Sequence, residues 1–581
     1  MAETVVVDIR DLSFQYEGAA APVLNHISLG VQGGETVLLL GPSGGGKSTL
    51  LLCLNGLIPQ RIPGPFSGQV SVAGLDVATH EVYQMAEKVG LVFQDPEAQF
   101  SMLYVEDEVA FGLENLRYPR QVIRERVAWA LRQVGLADKV GVRLDRLSGG
   151  EKQKVALASV LAMSPQVLAL DAPTANLDPV SARDFWAVLR RLKAELGQTL
   201  IIVEQQVDEL IDMVDRLVLM NERGEMMANG LPGQVIDRLG AETLMRHGIW
   251  LPQTWELVQA ANGKKLPGGV YPLTLQEAYA SLAPVLNGRA SANGSLANTD
   301  LETPETRPEV VRVEGLSHTY ALAPGGAAAL QDVHLHIQAG DFCAVVGQNG
   351  AGKTTLAKYL TKIMEPPPGK VFLNGADVAR LSLAEVTRQV GYVFQNPEHQ
   401  FVADTVYDEL AYGLRVRGVD QGTVRARVLD MLDTFRLRPL AHLHPFSLSQ
   451  GEKRRLSVGT MLILGPDVLI LDEPTLGQDR ASAVALMDIM RDLNRQGTTV
   501  MFITHDMRLV AEYARSAVVM AKGTVIFQGG VRELFERSDV MAAAALLAPP
   551  VVLLAQQLRQ ADPAFPPVAS MAEFRHLLES V

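Results

Sequence analysis

Gly41-Pro42-Ser43-Gly44-Gly45-Gly46-Lys47-Ser48-Thr49 follows an apolar run, Thr36 to Leu40, and leads into a second, helix-like apolar run. A strand, a glycine-rich turn and a helix opening on lysine and a hydroxyl is the pattern that binds nucleotide phosphates. Backbone N–H groups wrap the phosphates, Lys47 reaches the β and γ oxygens, and the Ser48 hydroxyl coordinates magnesium. The stretch therefore predicts an α/β phosphate-loop domain that takes ATP through Gly41, Ser43, Gly44, Gly46, Lys47, Ser48 and Thr49.

Further along, Leu147-Ser148-Gly149-Gly150-Glu151 precedes Lys152-Gln153-Lys154-Val155-Ala156-Leu157-Ala158. Ser148 with Glu151 three residues on is a capping box that opens a helix. The two glycines leave the first turn bare, and free N–H groups at a helix N-terminus form an anion site. The chain already has one phosphate loop. The second anion site must serve another nucleotide, or the same one from across an interface. Between and beyond these motifs, Leu91 to Phe93 is a short strand ending at Gln94, and Val167 to Leu170 a buried one ending at Asp171. An aspartate in that place suits the magnesium-supporting carboxylate of phosphate-loop enzymes.

All of this recurs. Gly347 to Thr355 repeats the phosphate loop, with Gly347, Asn349, Gly350, Gly352, Lys353, Thr354 and Thr355 as its ATP-binding positions and Thr354 in the magnesium place. Gln395, Ser449-Gln450-Gly451-Glu452 and Asp472 follow in the same order. From Gln94 to Ser148 and from Gln395 to Ser449 is 54 residues in both copies, whereas Lys47 to Gln94 is 47 and Lys353 to Gln395 is 42, the difference lying in a Pro/Gly-rich insertion from Pro59 to Gly68. Shared spacing across unlike residues means one fold twice.

The rest of the composition narrows the class. Fifty-two Lys and Arg against 65 Asp and Glu give a net charge of −13 over 581 residues, which argues against a nucleic-acid partner. Cys53 and Cys343 are the two cysteines, expected in the core and not in a disulfide. The start lacks a basic, signal-like region, and the longest apolar run, 16 residues from Val540 to Ala555, is broken by Pro549-Pro550, too short to span a bilayer.

Taken together the motifs resemble the ATP-binding-cassette ATPases over nearly the whole chain. The resemblance implies two tandem phosphate-loop, RecA-like cassettes, each with an antiparallel β subdomain, a helical signature subdomain and a short C-terminal helical appendage. The expected boundaries are 1–240 for the first cassette, 241–285 for its appendage, 286–308 for a linker, 309–540 for the second cassette and 541–581 for the last appendage. It implies that Tyr16 and Tyr320 stack on adenine, and that Gln94 and Gln395 are lid glutamines contacting magnesium and the attacking water. Ser148 to Glu151 and Ser449 to Glu452 would close over the nucleotide held by the other cassette, in a head-to-tail pairing within one chain. The family's general base follows the magnesium aspartate: Glu473 follows Asp472, but Ala172 follows Asp171. Its switch histidine is His505 in the second copy and Gln205 in the first.

Two segments are more specific. Gln94-Asp95-Pro96-Glu97-Ala98-Gln99-Phe100, trailed by Val105 to Gly112, and Gln395-Asn396-Pro397-Glu398-His399-Gln400-Phe401 resemble the energy-coupling-factor and cobalt-type importer ATPases. That likeness implies polytopic coupling and substrate-binding membrane subunits as partners, a peripheral place on the cytoplasmic face of the membrane, and a vitamin, vitamin precursor, cobalt or nickel ion as cargo. The acidic residues Glu106, Asp107, Glu108, Asp404, Asp408 and Glu409 are expected to meet basic residues of the coupling subunit. Two other readings are open. A tandem-cassette translation factor would carry a basic helical linker and two glutamate bases, whereas residues 241–309 hold five basic and seven acidic residues and one base is absent. A fused-cassette sugar importer is the alternative within transport.

Overall fold

The computed structural model describes residues 5–261, 271–286, 307–320 and 328–580. The linker expected over 286–308 lies outside them except at its ends. The chain divides into two compact units, Met1–Ser281 with Asp479–Ala481, and Leu282–Gln478 with Ser482–Val581.

In the first unit the strand Thr36–Leu40 is buried at every position. It lies inside a six-stranded sheet in the order Met226–Gly230, Arg216–Met220, Thr36–Leu40, Thr199–Val203, Val167–Asp171, Val89–Val92. The inner pairs are parallel and only the Met226–Gly230 edge is antiparallel. A parallel sheet is covered on both faces, which is why its strands are unbroken apolar runs. Side chains alternate between the faces. Val37 and Leu39 join a core with the phosphate-loop helix and a four-stranded antiparallel sheet, while Leu38 and Leu40 join Leu157, Phe185 and Leu189 on the other side.

The antiparallel sheet runs Leu24–Gln32, Val5–Phe14, Phe66–Val72, Leu75–Asp76. The helical segment packs Val105–Asn115, Arg120–Gln133 and the signature helix Gly149–Ala162 against one another. After the last strand, helix Pro232–Arg246 is broken at Gly240, whose φ is 74°, and helix Gln253–Ala260 follows Pro252, its N-cap. Thr274 caps the following helix, its hydroxyl accepting from Glu277 N at 3.3 Å.

The second unit repeats the plan. Its large sheet runs Thr524–Gly530, Ser516–Ala521, Phe342–Val346, Thr499–Ile503, Val468–Asp472, Val390–Val393. Its small sheet is built from Glu309–Thr319, Ala328–Gln338, Val371–Leu373 and Ala376–Asp377. Cys53 and Cys343 are both buried and unbridged, and burial pushes each thiol up to about 12. Among the described residues no helix is long and apolar enough to cross a membrane.

Candidate functional site

Each phosphate loop joins the C-terminal end of a central strand to a helix, Lys47–Leu54 in the first unit and Lys353–Leu360 in the second. The loops can turn there only because the residue before each lysine is glycine. Gly46 has φ 83° and Gly352 φ 100°, and a Cβ would stand 2.4 Å from Val23 O or from Ala329 O. Lys47 and Lys353 are buried. Lys47 Nζ donates to Gly41 O at 2.8 Å and Pro42 O at 2.7 Å, and Lys353 Nζ to Gly347 O at 2.6 Å and Gln348 O at 3.0 Å. Burial lowers the Lys47 ammonium to about 8, with the Asp171 charge working against it. An anion in the loop would add opposite charge to this desolvated cation. Tyr16 and Tyr320 stand beside these helices, their hydroxyls sharing hydrogen bonds with Thr49 at 3.1 Å and Thr355 at 3.2 Å.

At the end of the next strand but one in the sheet the units part company. Asp472 is 2 % exposed, and its Oδ2 accepts from the Thr354 hydroxyl at 2.9 Å and the Tyr392 hydroxyl at 2.8 Å. Burial raises its carboxyl, and these two hydrogen bonds oppose the rise. Glu473 follows with φ 47°, and its Oε1 lies 2.9 Å from His505 Nδ1. Burial alone would raise the Glu473 carboxyl, but the His505 charge and hydrogen bond hold it below the usual range; in turn Glu473 holds the imidazole above its ordinary value against burial.

In the first unit the same turn survives without the chemistry. Ala172 keeps φ 43° and its N–H still donates to Val203 O at 2.8 Å, while Asp171 is bonded by Ser48. Alanine takes no proton, and Gln205 stands where the second unit has His505. A different residue ties the turn down. Glu204, 3 % exposed, accepts from Thr174 Oγ1 at 2.8 Å, Thr174 N at 3.4 Å and Gln205 N at 2.9 Å.

Both capping boxes form. Ser148 Oγ accepts from Glu151 N at 3.3 Å while Glu151 Oε2 accepts from Ser148 N at 2.9 Å, and Ser449 with Glu452 does the same at 3.4 and 2.8 Å. The box uses the cap and third-residue amides. The Gly149, Gly150, Gln450 and Gly451 amides remain as the first-turn donors. Gly150 is required by packing, since a Cβ would stand 2.9 Å from the Ser181 side chain. At Gly149 the nearest atom is Leu177 Cδ2 at 3.8 Å, so the glutamine that replaces it in the second copy is sterically mild.

The ABC transporter family model matches residues 24–175 and again 330–476, together more than half of the chain. The chain belongs to the ABC transporter family. It is 37% identical over 579 residues to a Methanosarcina mazei protein named "Putative ABC transporter ATP-binding protein", covering 99% of this chain and 97% of that one. It is 38% identical over 548 residues to a Bacillus subtilis protein named "Putative HMP/thiamine import ATP-binding protein YkoD", covering 94% and 95%. The two units are thus two ABC cassettes of one ATP-binding, ATP-hydrolysing transporter subunit.

The segments after Gln94 and Gln395 are short 3₁₀ turns, Pro96–Ala98 and Pro397–Gln400, capped by Asp95 and Asn396. In the first cassette a cavity of about 260 Å³ opens beside this turn, lined by Leu57, Val82, Phe93, Gln99, Phe111 and Met163 among others.

The acidic residues beyond it do not all face outward as the sequence suggested. Glu108 and Glu409 are each 4 % exposed. Glu108 Oε2 accepts from Ser101 N and Met102 N, both at 2.8 Å, and Glu409 Oε2 from Val402 N at 2.8 Å and Ala403 N at 2.7 Å. They lock the loop in front of their own helix. Asp408 is taken up by Thr405 and by Arg415, which leaves Glu106, Asp107 and Asp404 exposed.

Two residues near the second site do not stand out when the sequence is read motif by motif: Tyr392, and Arg454 of the signature helix Gln450–Leu462. Aligning the copies at Gln94 with Gln395 and Ser148 with Ser449 pairs them with Leu91 and Gln153, and that mismatch is the signal that finds them.

Proposed function

We propose that the chain is the ATPase subunit of an importer of the energy-coupling-factor type, working with polytopic membrane subunits from the cytoplasmic face of the membrane. Its cargo class is a vitamin, a vitamin precursor, or a cobalt or nickel ion. The two cassettes pair head to tail, so that Lys353, Asp472, Glu473 and His505 work with the Leu147 to Glu151 signature, while Lys47, Asp171, Ala172 and Gln205 face Gln450. The observation that carries this reading is the segregation of the differences. Glu473 and His505 sit in one cassette at 2.9 Å, and every departure falls in the site that would lack them. The first of these composite sites hydrolyses; the second binds ATP and holds the pair closed.

The residues fit magnesium. Asp472 with the Thr354 hydroxyl, and Asp171 with Ser48, offer one carboxylate and one hydroxyl each. Among the described residues no group of three His, Cys, Asp or Glu could hold a metal by itself. One or two protein oxygens plus phosphate oxygens is how magnesium is bound at such sites; when bound, it would neutralise charge on the β and γ phosphates. Gln395 orients the attacking water and Glu473 accepts its proton. His505, bonded to the carboxylate at 2.9 Å, keeps the base ionised and aimed. A positioned base contributes roughly 10² to 10⁴-fold.

The importer assignment is supported by the segments after Gln94 and Gln395, by the cavity beside the first of them, and by the thiamine-related name of a full-length relative. The exposed acidic residues Glu106, Asp107 and Asp404 would meet basic groups of the coupling subunit at the rim of that contact, where charge acts on association and its salt dependence. Reversing these three should weaken co-purification with the co-expressed membrane subunits while leaving ATP binding by the isolated chain unchanged. A reversed chain that assembles and supports uptake like the natural one would contradict the assignment of this surface.

A further inference from the structure

Arg454 lies just over one turn into the helix that starts at the Ser449 cap. It is 3 % exposed, an uncommon position for a guanidinium, which is rarely buried unless fully engaged. It is engaged on two sides of the hydrolytic centre. Nη1 donates to Phe394 O and Nη2 to Gln395 O, the carbonyls of the lid glutamine and of the residue before it. Nη2 also donates to Glu473 O at 3.3 Å, the carbonyl of the residue held at φ 47°. One planar fork therefore joins three segments: the signature helix, the lid turn and the base turn. Asp472 and Glu473 supply favourable charge, against burial that brings the guanidinium down to about 10.

The first cassette shows what changes without it. There Gln153, also buried, donates its amide to Phe93 O at 3.2 Å, so the link to the lid survives in a cassette whose turn carries Ala172. One further tie between signature helix and lid segment is shared by both cassettes: Lys152 pairs with Glu97, and Lys453 with Glu398 at 2.6 Å. The second cassette adds Gln400, whose amide donates to Ser457 O at 2.8 Å and accepts from Ser457 Oγ at 2.9 Å. Neither of these ties reaches the base turn, and it is the Arg454 fork that carries the second cassette's helix to Glu473 O.

We propose that Arg454 is a positioning residue that transmits the state of one nucleotide site to the other. The N-terminus of its helix contacts the ATP held by Lys47, and its guanidinium sets where Gln395 and Glu473 stand for the ATP held by Lys353. The proposal rests on the head-to-tail pairing above. A helix is stiff over one turn, so a shift at Ser449 moves the Arg454 fork, and the fork moves the three carbonyls it holds. ATP in the non-hydrolysing site then favours turnover in the other, and an energetic coupling between two sites is reciprocal in binding.

The test is a double-mutant cycle in the full chain, scored by steady-state hydrolysis and by ATP binding. Arg454→Gln installs the residue that the first cassette carries, and Arg454→Lys keeps the charge but not the fork. Arg454→Gln should lower kcat by about 10- to 100-fold, the range for partners that orient a catalytic group, with KM within about twofold and Arg454→Lys between the two. Lys47→Ala should lower turnover in the natural background and add little in the Arg454→Gln background.

A rise in KM with kcat unchanged, or full activity in Arg454→Gln, overturns the proposal. If Lys47→Ala lowers turnover and its effect multiplies with that of Arg454→Gln, the pairing stands and the coupling through Arg454 is wrong. If Lys47→Ala alone leaves turnover intact, the pairing itself fails and takes the coupling with it. A melting curve of each variant separates loss of positioning from loss of fold.

Discussion

Replacing His505 with alanine removes one partner of a buried pair. The imidazole and the Glu473 carboxylate are 2.9 Å apart, with side chains 14 and 11 % exposed. Breaking a buried pair costs about 3 to 5 kcal/mol, because the remaining charge is left without compensation; the residual exposure puts this pair toward the lower end, about 3 kcal/mol. The pH dependence follows from the two directions. His505 is raised, so its contribution is complete below the ordinary histidine range and fades as pH rises through the elevated value. Glu473 is lowered, so its contribution is complete above the ordinary glutamate range and fades as pH falls through the depressed one. Between these limits both are charged and the pair is intact.

His505→Ala should therefore destabilise the second cassette most around neutral pH and flatten its pH dependence, with turnover falling as the base loses its orientation. Denaturant unfolding of a two-cassette chain is not one transition, so hydrogen exchange resolved to the strands Val468–Asp472 and Thr499–Ile503 is the assay. The counterpart Gln205→Ala should move its own cassette far less. Equal protection in His505→Ala and the natural chain at pH 7, or an unchanged pH profile, would refute the assignment of a working ion pair.

Tyr392→Phe deletes one of two donors to Asp472 Oδ2 and fills the same space. A hydrogen bond to a charged group is worth about 1.5 to 3 kcal/mol, so kcat should fall by tenfold or more while ATP still binds, as a magnesium titration of the steady-state rate would show. Glu204→Ala leaves Thr174 N and Gln205 N without their buried acceptor, at about 1 to 3 kcal/mol each, so it should destabilise the first cassette more than Glu204→Gln. Burial raises the Glu204 carboxyl, with the Gln205 and Thr174 hydrogen bonds opposing. Its stabilising share is thus present below the ordinary glutamate range and lost as pH rises through the elevated value, and Glu204→Gln should remove that loss in melting curves taken across pH.

The local motifs were legible because each is complete within a few residues. The phosphate loops, the Ser148–Glu151 and Ser449–Glu452 boxes and the Asp472-Glu473 turn are read directly along the chain, and the repeat set the number of cassettes. The loss at Ala172 is equally local, since it removes an ionisable group. Arg454 and Tyr392 are legible only as mismatches between the two copies, not within their own motifs. Their partners Gln395, Glu473 and Asp472 are brought to them by the parallel sheet and the packing of the signature helix, and nothing in the neighbouring sequence marks them. Glu108 and Glu409 misled for the opposite reason. Acidic residues in a first turn usually face solvent, but the preceding loop folds back so that its amides need these carboxylates. Glu204 carries no motif of its own, since it precedes the position of the switch histidine, and only the fold brings it against Thr174 and the turn at Ala172.

The division of labour between the sites is tested most directly by Glu473→Gln in the full chain, with hydrolysis and bound nucleotide measured on the same sample. The predicted result is a fall in steady-state hydrolysis within the roughly 10² to 10⁴-fold range of a general base, with two ATP retained per chain, one in each phosphate loop. Substantial turnover in that variant, or a single nucleotide per chain at saturating ATP, would contradict the assignment of one hydrolysing and one holding site.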